Sequence, residues 1–579
     1  VPAIVVAAVV GVLFFLGYRF YSSYLADRVY ALDPAFVTPA HQFSDGVDFV
    51  PTNKHVVFGH HFTSVAGAAP IVGPAIAVFW GWGPALAWIV LGTIFAAGVH
   101  DFGALAVSLR HRAKNIGTIA QDVISNRART LFLLIIFFLL TLVNAVFAIV
   151  IASLFVANPG AVIPIVVEIP LAIFIGQYIY KTRSAALVPS LVGVVGLYLL
   201  IWVGQQFPVD IAPVAEAIGM TANTLWIILL FAYTFVASRI PVWMLLQPRD
   251  YINSHQLFIA LGVIALGMLV GWNTIVAPVV NDVPADSPSI FPFLFITIAC
   301  GAISGFHSLV SSGTTAKQID KETDARYVGY MGAIGEGSLA TGAVLAATAG
   351  VAATRAEWDG LYPDFGTAGG GAVGNFVNGV GAFANNIGVP LDLAVIFAAV
   401  VVISFAATTM DTGVRLQRYI VQEIAELAGW QKLARNLTLA SLIAVAVPLA
   451  LALLPGGYTF DKLWLLFGTT NQLTAGLALS VVAVWVTRMK RNPMPAIVPL
   501  VFLLAMTTWA LVQQLLNFVE AGEWFLAPLD LVIFVLAMWL IVEAALALRG
   551  SAGRHTHDEM GSPVDSGPVD SGSGEPSRR

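Results

Sequence analysis

Residues 53–74 read NKHVVFGHHFTSVAGAAPIVGP, and the fold turns on how this stretch is understood. It lies in an apolar segment, 55–78, long enough to cross a bilayer. Yet it carries His55, His60 and His61, the hydroxyls Thr63 and Ser64, the glycines Gly59, Gly67 and Gly73, and the prolines Pro70 and Pro74. A lipid-embedded helix is apolar throughout unless polarity has a task. Glycine and proline loosen a helix and free backbone groups to meet a ligand. The plainer reading is close packing through small residues, with His60 and His61 as hydrogen-bonded pins. Adjacent histidines beside glycine and proline favour a broken helix that forms a site.

A second stretch repeats the mixture: CGAISGFHSLVSSGTT at 300–315, with Gly305, His307, Ser308 and Ser311. Its expected direction through the membrane is opposite to the first. Two interrupted helices of opposite direction, one in each half, are the best sequence pointer to a binding site inside a bundle. The competing reading is a seam of small residues.

Further polar groups stand in apolar surroundings. SFAATTMDT at 404–412 brings Thr408, Thr409 and Asp411, side-chain oxygens suited to a cation or a proton relay. Equally, Asp411 begins a loop and Thr408 bonds back to its own helix. FGTTNQLT at 467–474 brings Asn471 and Gln472, which bind substrate or tie helices together. His100-Asp101 and Glu336 are two more ionisable places. Asp101, near a basic loop, is expected to pair with a neighbouring Arg, and Glu336 is a candidate proton carrier.

Around these motifs the chain is that of an all-α, polytopic membrane protein. Of its 579 residues 58% are hydrophobic and 11% charged, against about 25% charged in soluble domains. About fifteen stretches are long enough to span: 1–20, 55–78, 82–109, 130–156, 162–180, 185–206, 222–242, 257–278, 291–312, 328–350, 391–412, 437–455, 463–487, 496–517 and 527–548. The first, without a basic n-region, reads as a span rather than a cleaved leader. One set of loops is rich in Lys and Arg, including Arg110, Arg112, Lys181, Arg183, Lys317, Arg326, Arg415, Arg418, Arg488 and Lys490. The alternate set, 207–221, 278–290 and 517–526, carries acids instead. The positive-inside rule puts the basic set, a segment 21–54 and the C-terminus in the cytoplasm, and the N-terminus outside.

Residues 351–390, with GTAGGGAVGNFVNGVGAFANN at 366–386, are Gly-rich and weakly apolar. Parity requires that they not cross, so they read as an irregular re-entrant or capping loop on the outer face. Gly369-x-Gly371-x-x-Gly374 within them has no surrounding βαβ unit and is no nucleotide fingerprint. The tail 549–579, with its PVDSG pair, reads as disordered. Cys300 is the only cysteine, so neither an intrachain disulfide nor a Cys-based metal site is expected. No GxxxxGK[ST] or HExxH motif occurs, which argues against an ATP-driven pump or a zinc protease, and no basic stripe suggests nucleic acid. No cofactor is expected.

Beyond these readings, NKHVVFGHHFTSVAGAAPIVGP, CGAISGFHSLVSSGTT, SRIPVWMLLQPRDY (238–251), TTMDTGVRLQRY (408–419) and LWLLFGTTNQL (463–473) resemble the carbon starvation protein family, from about 45 to about 517. The resemblance implies an inner-membrane transporter linked to uptake of peptides or pyruvate, with protons. It also implies the amino acid–polyamine–organocation superfamily and its leucine-transporter type of core, two inverted five-helix repeats. In that frame 55–78 is the first broken helix, 291–312 the sixth, and 351–390 the outer cap before the eighth helix, 391–412. Its threonines then sit where sodium symporters of the fold bind an ion. Seven steps separate the broken helices where the plain fold has five, so two spans are additional within 55–278. The second half covers 291–487, and 488–548 adds C-terminal spans. His100 stands where the family commonly has Gln.

The expectation is therefore a secondary transporter, not an enzyme, with a small-molecule substrate and a coupling cation, H+ or Na+. Gly59, His60, His61, Ser64, Gly67, Gly305, His307, Ser308, Ser311, Asn471 and Gln472 are the candidate substrate residues. Thr408, Thr409, Asp411, Glu336 and Asp101 are the candidates for coupling. A membrane-embedded nutrient sensor would need a soluble output module, and a passive channel would show no trans-stimulation.

Overall fold

The computed structural model describes residues 1–45, 48–182, 187–241, 244–454 and 460–551. Arg183 and residues 552–579 of the tail lie outside the described residues. The described chain is all-α, with three isolated β-bridges and no strands. Its principal helices are α1 (Ala3–Val29), α2 (Lys54–Val65), α3 (Ala69–Trp80), α4 (Trp82–Arg110), α5 (Ile116–Val123), α6 (Asn126–Ala157), α7 (Pro159–Thr182), α8 (Leu187–Gln206), α9 (Ala222–Ala237) and α10 (Leu246–Gly271). They continue as α11 (Ile290–Thr297), α12 (Phe306–Gly313), α13 (Arg326–Gly350), α14 (Arg355–Leu361), α15 (Phe365–Asn386), α16 (Leu391–Leu427), α17 (Leu437–Ala452), α18 (Phe460–Arg488), α19 (Met494–Glu520) and α20 (Leu526–Gly550).

Each of the fifteen apolar stretches overlaps a helix, although 291–312 is interrupted at 298–305 and 257–278 runs past Gly271, where its helix ends. Ten helices among the described residues are long and apolar enough to cross a membrane, or up to 12 if each of two bent pairs is one span. The rest are α9 and α17, which are shorter, and α11 with α12, which a break divides. The count of fifteen crossings is thus an upper reading of a smaller set of continuous spans.

Hydrogen bonds fix which helix ends share a side. At one end, Thr52 N donates to Gln318 O at 3.0 Å, and Arg110 forms an ion pair with Glu322. At the other, Trp80 Nε1 donates to Pro288 O at 2.9 Å, and Val276 N to Thr348 O at 3.0 Å. The pair α2–α3 therefore runs antiparallel to α11–α12, as an inverted repeat requires.

Two expectations are corrected. Residues 351–390 are not irregular: they fold as α14 and the 22-residue α15. Each glycine costs a helix about 1 kcal/mol, but packing here demands glycine. A Cβ on Gly379 would lie 2.2 Å from Ala346 O. Both ends of α15 stay on the Trp80 side of the bundle, with Gly369 against Asp461 and Asn386 donating to Gly267 O at 3.1 Å. Secondly, α16 does not stop near 412. It continues to Leu427, so Arg415 and Arg418 are buried within a helix rather than in a loop. They donate to Ile240 O (2.6 Å) and Ser238 O (2.8 Å), beyond the C-terminus of α9, where free carbonyls favour cations. Between the two broken pairs, α7 and α8 form a hairpin laid against α10 and α16.

Candidate functional site

Both interrupted helices are broken. α2 ends at Val65, and α3 leaves at 53° to it after residues 66–68. α11 ends at Thr297 and α12 begins at Phe306. The breaks meet: Gly301, at φ +95°, brings the site of a Cβ within 3.4 Å of Pro70 Cα. Breaking a helix in an apolar bundle frees carbonyls and amides that must find partners. Trp464 Nε1 donates to Thr297 O (3.1 Å), Trp88 Nε1 to Ile298 O (3.3 Å) and Gln472 Nε2 to Phe295 O (2.6 Å). Asn471 Oδ1 accepts from the Phe306 amide at 3.2 Å. Asn471 and Gln472 thus hydrogen-bond to backbone on either side of the second break.

Beside that break stands a cluster of imidazoles and carboxylates, each at most 1% exposed. His307, in the first turn of α12, has Nδ1 at 2.8 Å from Asp101 Oδ2 on α4. Its Nε2 lies 3.2 Å from Glu336 Oε1 on α13, a contact out of hydrogen-bond alignment. His100 Nδ1 lies 2.7 Å from Asp101 Oδ1. His61 reaches the same side from α2, with Nδ1 at 2.9 Å from Thr315 Oγ1. Three helices thus share one imidazole. Asp101 pairs with histidines, not with the Arg expected from the nearby loop, because its helix turns it inward while Arg110 reaches Glu322.

On the other flank of α2 lies a second cluster. Arg249 Nη1 donates to Asp411 Oδ2 at 2.7 Å and to Tyr233 Oη at 3.1 Å. Tyr233 Oη also donates to Asp411 Oδ2 at 2.8 Å. Glu168 Oε1 is 3.7 Å from Arg249 Nε, and its Oε2 accepts from Ser404 Oγ at 3.2 Å. Asp250 Oδ2 lies 3.7 Å from His60 Nδ1. Thr408 Oγ1 accepts from Asn253 at 2.9 Å. Thr409 bonds back to Phe405 O at 3.0 Å and abuts Gly67 at the first break.

The remaining candidates are more local. Ser64 Oγ donates to His60 O (2.8 Å) and Ser308 Oγ to Gly305 O (2.7 Å), while Ser311 Oγ is buried without a hydrogen-bond partner among the described residues. Gly305 is needed for packing, since a Cβ there would lie 2.4 Å from Asn471 O; Gly59 is not, with its nearest neighbour at 4.0 Å.

The family model described as carbon starvation protein CstA matches residues 2–357 and 363–510. The chain belongs to that family. Peptide transporter CstA of Campylobacter jejuni is 34% identical, over 90% of this chain and 81% of its own length. Peptide transporter CstA of Escherichia coli is 33% identical, over 88% and 80%. The pyruvate/proton symporter BtsT of Escherichia coli is 31% identical, over 89% and 81%. Among solved structures, MhsT in complex with L-phenylalanine aligns with 85% of this chain and 99% of its own at 14% identity and a TM-score of 0.44. A manganese transporter of Eremococcus coleocola aligns with 88% and 99% at 12% identity and a TM-score of 0.41.

In this CstA-family chain the motifs led to the His307 cluster: His61, Asp101, His307 and Glu336 were all singled out. Of the second cluster they gave His60, Thr408, Thr409 and Asp411. Glu168, Tyr233, Arg249 and Asp250 were missed. The available signals were a lone Glu in the apolar run 162–180 and the QPRD tetrapeptide at 247–250, just ahead of a span.

Proposed function

We propose that this chain is a secondary transporter that imports a small organic nutrient, a peptide or a pyruvate-like carboxylate, across the cytoplasmic membrane by proton symport. The observation that carries the reading is His307, fixed at a helix break between carboxylates from two other helices. An imidazole between two acids changes charge by taking or losing a proton. A sodium site would instead need a cage of oxygens, and the central group here is a nitrogen base. The relatives named as a pyruvate/proton symporter and as peptide transporters support both the ion and the substrate class.

The substrate is held where the two breaks meet, by backbone and side chains of the segments containing Gly59, His60, His61, Ser64, Gly67, Gly305, His307, Ser308 and Ser311. Asn471 and Gln472 serve it by keeping the second break open. Asp101 and Glu336 act on the coupling proton through His307. Asp411, Thr408 and Thr409 join the second flank of α2 to the first break. The hairpin α7–α8 is the pair of spans additional to the plain inverted repeat. The end bearing Lys54, Arg110 and Arg326 faces the cytoplasm by its excess of basic residues, which puts the N-terminus outside and the C-terminus inside.

The test is uptake into proteoliposomes of labelled pyruvate and of a labelled dipeptide under an imposed inward proton gradient. One of them should accumulate against its gradient, and trans-loaded unlabelled substrate should accelerate entry. Accumulation of neither removes the reading, and entry without trans-stimulation makes the protein a channel. If His60→Ala transports as wild type does, His60 has no part in it.

A further inference from the structure

The second cluster does not balance its charge. One guanidinium, Arg249, stands among three carboxylates, Glu168, Asp250 and Asp411, and all four side chains are at least nine-tenths buried. Arg249 binds Asp411 directly. Glu168 has its contact with Arg249 and the Ser404 hydroxyl. Asp250 has neither. Its Oδ1 lacks any hydrogen-bond partner among the described residues, and its Oδ2 lies 3.7 Å from His60 Nδ1. A buried, unpaired carboxylate costs several kcal/mol, and the cheapest relief is to bind a cation or a proton. Among the described residues no three His, Cys, Asp or Glu side chains could hold a metal ion. Asp250 also sits inside α10, where the neighbouring carbonyls are already used by the helix.

We propose that Asp250 and His60 form a second proton-binding site, on the flank of α2 opposite His307, and that its occupancy holds α2 against α10. The proton leaves water, passes His60, the more exposed of the pair at 15% against 7% for Asp250, and rests on the Asp250 carboxyl. His60 and His61 are successive residues of α2, and each faces a different cluster. A shift of α2 therefore changes both proton sites in one movement. The charged and titratable groups around Asp250 are Arg249 on its own helix, His60 from α2, Glu168 from α7 and Asp411 from α16; Tyr233 from α9 and Arg415 from α16 lie behind Asp411. Of helices α8 and α15, which also pack on α10, α8 brings one titratable group, Tyr198, and neither brings a charged residue. Helix α1 brings Arg19, Asp27 and Arg28 near its far end from Pro2. Glu336 of α13 is engaged by His307.

The coupling role of this site rests on the transport reading above; the proton binding does not. Two measurements on the purified full chain separate them. In pH-difference infrared spectra the wild type should show a protonated-carboxyl C=O band that D250N lacks, that D250E shifts and that E336Q keeps. The amide bands of the same spectra report folding, and if D250N does not fold, the shift in D250E decides. In proteoliposomes, D250N should still exchange labelled pyruvate or dipeptide in counterflow, yet lose about tenfold or more in proton-driven accumulation, within the usual range of coupling between two ligands. D250E should restore it. A band that survives D250N and does not move in D250E overturns the site. Proton-driven accumulation by D250N at the wild-type level overturns its coupling role. If the wild type itself shows no counterflow, the transport reading falls while the infrared result still decides whether Asp250 holds a proton.

Discussion

Two buried charge clusters flank the first broken helix, and they are built on opposite principles. The His307 cluster is centred on an imidazole, a base that is charged or neutral according to whether it holds a proton. The Arg249 cluster is centred on a guanidinium, which stays charged under all physiological conditions. In the first, the centre itself changes state. In the second the centre is fixed, so any change must occur on the carboxylates around it. The first cluster joins the second broken helix to its neighbours α4 and α13. The second joins α10 and α16 to α7, a helix of the hairpin between the two broken pairs. One thus lies at the second break, and the other between α2 and the helices behind it.

The comparison breaks most easily at Arg249. Removing one partner of a buried ion pair costs about 3–5 kcal/mol, because the other charge is left stranded. R249M should therefore lower thermal stability in detergent severely or abolish monodisperse protein. R249M/D411L should recover part of the loss, since removing both partners spares the stranded charge. If R249M melts as the wild type does, the guanidinium is no fixed centre.

The same test on the other side should be milder. In H307Q an amide replaces a ring that can itself be neutral, so the expected cost is that of one imperfect buried hydrogen bond, about 1–3 kcal/mol. The protein should fold, keep substrate exchange in part, and lose proton-driven accumulation. A stability loss matching that of R249M would mean that His307 is a permanent cation, and the contrast between the clusters would vanish.

Why the sequence showed one cluster and not the other follows from where the residues sit. His61, Asp101, His307 and Glu336 are polar groups in long apolar runs, where each is conspicuous alone. In the second cluster Asp411 was as conspicuous, but Tyr233 reads as an ordinary aromatic of its span, and only the folded arrangement brings the lone carboxylate of α7 to Ser404 and Arg249. Arg249 and Asp250 precede the apolar run 257–278 and read as its flank, yet α10 begins at Leu246 and buries both. The spans themselves were legible because their length and apolarity are local properties. The helix α15 was not: its glycines argue against a helix locally, and their justification, the Ala346 carbonyl under Gly379, is a contact across the fold. Likewise Asn471 and Gln472 were recognised as polar and buried. That they brace the Phe295–Phe306 break could be learned only from their partners.

That bracing gives a finer test. N471A removes the acceptor for the Phe306 amide and the contacts to Ser304 and Cys300, at about 1 kcal/mol for the lost cap. It should loosen the start of α12 and with it His307, but leave Asp250 as it is. Proton-driven uptake should fall while the infrared band assigned to Asp250 stays. If that band moves as well, the clusters are coupled through more than α2.

The smallest effect belongs to a residue remote from both clusters, and it shows what an ordinary carboxylate does here. Asp364 caps α15 from outside the spans, its Oδ1 accepting from the Thr367 amide at 2.8 Å and its Oδ2 from the Thr367 hydroxyl at 2.7 Å. These bonds lower its pKa below the ordinary 3.8. A group whose pKa is depressed by folding stabilises above its unfolded value, and that contribution is lost as pH falls through the folded value. The loss is therefore confined to strong acid, below pH 3.8. D364N keeps a competent cap, because Asn accepts the same bond. At neutral pH its melting temperature should stay with the wild type, within the roughly ±0.5 kcal/mol typical of surface changes. In strong acid the wild type should lose slightly more stability than D364N. A change near neutral pH would mean that the cap of α15 communicates with the two clusters, and the separation between them and α15 would have to be redrawn.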